Sequence, residues 1–228
     1  MIIEGIAIEV QRKRIKNMHL HVKPDGRVFV TAPARVPESD VEGFARANIE
    51  WIRNTLKAYS DIPRPPERRY ESGETVFILG REYELVFLPG NGSAFSIIDN
   101  KAVLTMRPCS TAEQRTEYMR GVLREILARQ IEELLPKWER ITGLKAKEWH
   151  IKYMKTRWGT CNPSAKRIWL SLQLAQHTPI CIEYVILHEL THFRVHNHGA
   201  DFKAEMDKYM PRWREIKKEL NKPLYSIM

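Results

Sequence analysis

Hydrophobic and polar positions alternate along the first third of the chain, in IAIEVQ (6–11), HLHVK (19–23) and VFVTA (28–32). Successive side chains then fall on opposite faces, as in half-buried strands. Pro24-Asp25-Gly26 separates the last two runs and predicts a turn. Pro37-Glu38-Ser39-Asp40 opens a helical pattern in which Val41, Phe44, Ile49, Ile52, Leu56 and Tyr59 keep roughly one face, with Ser39 as its expected cap. Residues 60–69, polar and holding three prolines, predict a linker. Strand patterns return at 75–79 and 82–88 around Gly80-Arg81, and more weakly at 94–98 and 102–106.

From about Ser110 the period lengthens. Tyr118, Val122, Ile126, Ile131 and Leu134 predict a long helix ending at Pro136 or slightly beyond. A strand pair is expected at 149–155 and 167–171, turning through Asn162-Pro163-Ser164-Ala165, followed by helices near 179–196, 199–209 and 211–220. No internal repeat shows in the sequence. The drift from strand-rich to helix-rich predicts an α+β chain: a strand-rich portion with one helix over 1–108, then a catalytic portion over 109–228.

Composition narrows the class. At 228 residues, 43% hydrophobic and 29% charged, the chain is in the ordinary globular range. No apolar run reaches about 18 residues, so no spanning helix and no membrane partner are expected. The opening MIIEGIAIEVQRKR lacks a basic lead-in and carries Glu4, a poor secretory signal, so a cytoplasmic location is expected. Cys109, Cys161 and Cys181 form no C-x-x-C pair and read as reduced thiols. The net charge of +9 is concentrated: residues 145–167 hold seven basic residues against Glu148 alone. Such a surface is either a solvated face or an attractor of an anionic partner, whether a peptide carboxylate, a nucleotide phosphate or nucleic acid.

The chemistry lies in CIEYVILHELTHFRVHNHGADF (181–202), where His188, His192, His196 and His198 crowd together. The surrounding Ile182, Val185, Ile186, Leu187 and Leu190 bury the helix, and buried histidines are costly unless something satisfies them. On a helix, His188 and His192 are one turn apart and about 40° apart in direction, so their imidazoles can share one tetrahedral ion. Glu189 points about 100° away from His188, too far round to be an ideal ligand but placed to act as general base. The third ligand is a choice between His198 and His196, with Glu205 as an outsider. On a straight helix His196 lies about 12 Å from His188, whereas a break at Asn197 or Gly199 would return His198 to the ion.

The segment KTRWGTCNPSAKRIWLSLQL, followed by PxxxEYVILHELTH and NHGADF, resembles the YgjP-like metallopeptidase family, related to the SprT-like and WLM zincin domains. The resemblance covers nearly the whole chain, with its specific motifs at 155–202. It implies a zincin-like HExxH catalytic domain with one zinc ion held by His188, His192 and His198 and with Glu189 as catalytic base. Arg157 and Trp158, just before Gly159, are expected to bind substrate beside a strand open to an extended peptide, either Trp149–Thr156 or Arg167–Ser171. Asp201 and Glu205 are candidates to orient a ligand imidazole, and Tyr184 or Tyr209 to stabilise an oxyanion. The expected function is a zinc-dependent metallopeptidase acting on peptide or unfolded protein. Two alternatives are a metal-dependent nucleoside triphosphate pyrophosphatase, or other phosphoanhydride hydrolase, and a DNA-associated module with structural zinc.

Overall fold

The alternation at the start of the chain builds four strands, β1 (Ile2–Ile3), β2 (Ile6–Lys13), β3 (His19–Val22) and β4 (Val28–Pro33), ordered β1-β2-β4-β3. In the computed structural model, which describes residues 1–23, 25–61 and 69–222, they form a unit with α1 (Glu38–Ala47) and α2 (Ile49–Asp61). Ile8, Val28, Val30 and Ala32 are buried with Val41, Ala45 and Ile52 of the helices. The single helix expected here is two, broken at Asn48, whose side chain donates to the Phe44 carbonyl at 2.8 Å. Ser39 is not the cap; Pro37 holds that position without a side-chain hydrogen bond. Pro24 and most of the expected linker, residues 62–68, lie outside the described residues.

The chain divides at Pro66/Glu67 rather than at the expected 108/109. Strands β5 (Thr75–Ile78), β6 (Arg81–Pro89), β7 (Ala94–Ile98) and β8 (Lys101–Met106) form a second sheet. Their Leu85, Ala102 and Leu104 share one core with helical residues as far along as Leu220. Without those helices the apolar face of this sheet would stay wet, so change of texture near Ser110 marks no domain boundary.

The second sheet also corrects the expectation of no repeat. Its order, β5-β6-β8-β7, reproduces that of the first: outer strands antiparallel to their neighbours, and the two inner strands parallel (β2 with β4, β6 with β8). A faint sequence signal accompanies the shared topology: I-x-G-x-x-x-E recurs at Ile3–Glu9 and Ile78–Glu84, with positive φ at Glu4-Gly5 and Leu79-Gly80, and D-[GN]-[RK]-x-x-[VL]-T recurs at Asp25–Thr31 and Asp99–Thr105.

The long helix, α3 (Ala112–Thr142), starts at a capping box in which Thr111 Oγ1 accepts from the Gln114 amide and Gln114 Oε1 accepts from the Thr111 amide. It continues through Pro136, held by Leu134, Leu135 and Trp138 buried on both sides of the proline, and ends on the left-handed Gly143. The expected strand pair is rearranged. β9 (Glu148–Lys152) runs parallel to β11 (Arg167–Ser171), and the hairpin partner of β11 is β10 (Gly159–Asn162), which the sequence reading missed. The order β10-β11-β9 leaves one side of β10 unpaired among the described residues.

Three helices complete the unit, α4 (Pro179–Thr191), α5 (Ala200–Tyr209) and α6 (Trp213–Leu220). The β5–β6 turn positions α4: the Leu79 and Gly80 amides donate to the carbonyls of Ala175 and Gln176 at 2.8 and 3.1 Å, just ahead of α4. Gly80 is required twice over, by its φ of +78° and because a Cβ would stand 2.3 Å from Thr178 Cγ2. No described helix is long and apolar enough to cross a membrane. Leu127→Ala, at a fully buried position of α3, is expected to cost about 2–5 kcal/mol of the stability of Glu67–Met228, read from urea denaturation.

Candidate metal centre and cleft

Helix α4 is apolar nearly all round: Cys181, Ile182, Tyr184, Val185, Ile186, Leu187 and Leu190 are buried, packed among α3, α6, β10 and α5. Such a helix is a core rod. Besides Thr191, whose hydroxyl donates to the Leu187 carbonyl, two polar groups, His188 and Glu189, are carried into this interior, and His192 follows as its C-cap.

The helix stops at Thr191, earlier than expected, and neither Asn197 nor Gly199 adopts left-handed backbone. Gly199 is extended (φ −72°, ψ −160°) and serves as the N-cap of α5. The chain turns instead through short-range bonds, the Arg194 and Val195 amides both donating to the Thr191 carbonyl at 3.0 Å. Arg194 then ties the turn to the scaffold, bonding Glu205 Oε2 at 2.6 Å and the Thr142 carbonyl at 3.3 Å.

This turn returns His198 to the helix. His198 Nε2 lies 3.0 Å from His188 Nε2 and 3.1 Å from His192 Nε2. Three lone-pair nitrogens this close repel unless a proton or a cation lies among them. Tetrahedral coordination at about 2.0–2.1 Å would separate them by about 3.3 Å, close to what is seen. His192 Nδ1 donates to the Val195 carbonyl at 3.0 Å, which fixes the tautomer and leaves Nε2 to bind. His188 Nδ1 is buried without a hydrogen-bond partner, and burial, with His192 and His198 adding to it, pushes the ring pKa down to about 3. A neutral His188 is the form that ligates metal. The donor set therefore fits a divalent cation.

His196 is not part of the set; its Nδ1 meets the His192 carbonyl at 3.2 Å. Asp201 and Glu205 do not contact an imidazole among the described residues, since Glu205 pairs with Arg194 and Asp201 is exposed on α5. The orienting role expected of them falls to the Val195 carbonyl. Phe202, which the sequence reading passed over, packs its ring 4.7–4.9 Å from all three imidazoles. Its signal was present as the buried residue one turn into α5.

Glu189 is only 4% exposed, and burial raises its pKa to about 7 against the pull of the Cys161 hydrogen bond and the Arg157 charge. The Cys161 thiol is itself pushed up to about 12, by burial first and by Glu189 second, so it stays protonated and donates to the carboxylate. Gly159 clears the space: a Cβ there would stand 2.6 Å from Glu189 Oε1 and 2.8 Å from Val185 Cγ1. Gly159 and Cys161 thus belong to the site, while Trp158 is half-buried, edge-on to His177 at 4.8 Å and donating to Asn221 Oδ1 at 3.1 Å.

These groups line a cleft of about 630 Å³ whose walls include Arg157, Trp158, Tyr184, Lys217 and Asn221. Tyr184 lines it with a pKa raised to about 12 by burial and Glu189, whereas Tyr209 is engaged with Arg194 outside it. Of the seven basic residues at 145–167, Arg157 alone reaches the cleft; Arg167 is committed to Glu148. The strand beside the site is β10, not Trp149–Thr156 or Arg167–Ser171, because β11 is the middle strand of its sheet and β9 lies beyond it.

A family model described as YgjP-like, metallopeptidase domain, matches residues 16–223. No curated protein matches the chain. Among solved structures, the chain is similar to the metallopeptidase zymogen abylysin of Pyrococcus abyssi, at 23% identity over 40% of this chain and 90% of that one, with a TM-score of 0.37. It is also similar to the metallopeptidase zymogen jannalysin of Methanocaldococcus jannaschii, at 25% identity over 41% and 92% of the two chains, with a TM-score of 0.33. The geometry separates the two candidate third ligands. Chelator competition is expected to show zinc affinity falling at least tenfold in His198→Ala and within about threefold of the parent in His196→Ala.

Proposed function

The chain belongs to the YgjP-like metallopeptidase family, and on that premise we propose that it hydrolyses peptide bonds using zinc held by His188, His192 and His198, with Glu189 as general base. The observation that carries this reading is the convergence of three imidazole nitrogens beside a buried carboxylate, in a cleft open to solvent. Zinc at this position supplies a Lewis acid, which makes water a nucleophile near neutral pH and polarises a carbonyl oxygen.

The protein's own groups do the rest. Glu189 accepts the proton of the attacking water and returns it to the leaving amine, a double duty suited to a carboxyl whose pKa burial has brought to about 7. The Cys161 S–H and the Arg157 charge favour its ionised form, and Gly159 lets it turn towards the reacting atoms. Tyr184, protonated and with its ring 5.8 Å from that of His188, is the donor towards the developing oxyanion. An extended peptide pairs along the free side of β10, between the walls made by Arg157 and Trp158.

Glu189→Gln is expected to lower kcat on an unfolded protein substrate by about 10³-fold while zinc content, measured by elemental analysis, stays at the parent value. Full activity in that variant overturns the assignment of the base. Gly159→Ala, which forces the Glu189 carboxylate aside, is expected to lower kcat by about tenfold or more with KM changed less, as steady-state kinetics would show.

A further inference from the structure

Several arginines of the Glu67–Met228 unit are neutralised by a neighbouring acid. Arg120 pairs with Glu117, Arg167 with Glu148, Arg194 with Glu205, Arg212 with Glu215 and Arg214 with Asp207. Two cations on the cleft wall are different. Arg157, in the loop before β10, and Lys217, on α6, are exposed, and neither side chain has an ion-pair or hydrogen-bond partner among the described residues. Both stand close enough for their charges to act on the centre, Arg157 on Glu189 and Lys217 on His188. Among the described residues, the only acid on the cleft wall is Glu189, which is buried.

The two elements that carry these cations are tied together. Trp158, next to Arg157 in the chain, donates from its indole N–H to Asn221, and Asn221 Nδ2 donates to the Lys217 carbonyl at 2.8 Å. Trp158 is also braced edge-on by the buried His177. The backbones bearing Arg157 and Lys217 are thus held in one relation without either charge being used. A pair of cations so placed draws in an anion and gains from binding it, Arg through its planar fork and Lys as a point charge.

We infer that Arg157 and Lys217 form an anion subsite of the cleft that selects peptides carrying a carboxylate, as an acidic side chain or a free C-terminus, next to the bond placed at the histidine centre. The inference rests on the peptidase reading above and names its substrate class. A peptide is favoured over a nucleotide because, among the described residues, the cleft wall offers the free edge of β10 and no glycine-rich loop for phosphate oxygens.

The test uses the full zinc-loaded chain and three peptides that differ at one flanking residue, Glu, Gln or Lys, each with a free or an amidated C-terminus. The parent protein is expected to cleave a carboxylate-bearing peptide with a kcat/KM at least fivefold above its neutral twin, and the free-acid or side-chain arm identifies which carboxylate is read. In Arg157→Gln/Lys217→Gln that preference is expected to collapse to about one, and in Arg157→Glu/Lys217→Glu to turn towards the Lys peptide. Equal kcat/KM for acidic and neutral peptides in the parent, or an unchanged preference in the double Gln variant, overturns the proposal.

Binding of the fluorescently labelled Glu peptide to the Glu189→Gln protein provides a second readout. Binding that the double Gln substitution weakens at least fivefold supports the subsite even if the parent cleaves no peptide, and in that case only the hydrolytic reading fails. Binding of a nucleoside triphosphate with no binding of the acidic peptide overturns the subsite as proposed.

Discussion

A carboxyl buried in an otherwise apolar helix is the constraint around which this molecule is arranged. Glu189 sits in a segment where almost every neighbour is aliphatic or aromatic, and such a group is expensive to ionise without compensation. The compensation comes from another element altogether: β10 brings a glycine with no side chain to obstruct it, a thiol that donates to it, and an arginine two residues ahead of the strand. The result is a carboxyl able to hold a proton or release one near neutrality, because its surroundings neither strand it nor neutralise it fully.

The imidazoles are governed by the same economy of polar groups. His188 and His192 are delivered by helical spacing, but His198 arrives because the chain leaves the helix at Thr191 and is caught by Arg194, which bridges α3 and α5. Phe202 then fills the space behind all three rings, so that their ring positions are set by packing as well as by hydrogen bonds. A centre built in this way is largely preorganised, and little rearrangement remains for a ligand to drive.

The scaffold uses one topology twice. Each four-stranded sheet places two parallel strands in the middle and two antiparallel strands outside, but each serves a different core. The first sheet closes on its own two helices. The second has its turn at Gly80 pressed on the segment before α4, and so sets where the histidine-bearing helix begins.

Much of this was legible in the residues themselves. The helical spacing of His188 and His192, the direction of Glu189 and the alternation of strands β2, β4, β6 and β8 follow from local periodicity, which a chain expresses before it folds. What local periodicity could not express was anything that depends on residues far apart meeting: the pairing of β9 with β11 in parallel, the placing of β10 at the edge, and the joining of the second sheet to the helices in one core. The same holds for the carbonyl of Val195 as the partner of His192, for Gly159 against Glu189 and for Lys217 beside the cleft. Sequence alone thus determined which side chains a helix sets side by side, since residue type and helical pitch are local. Tertiary structure decided which of them meet, since burial and hydrogen bonding are satisfied only when the whole chain closes.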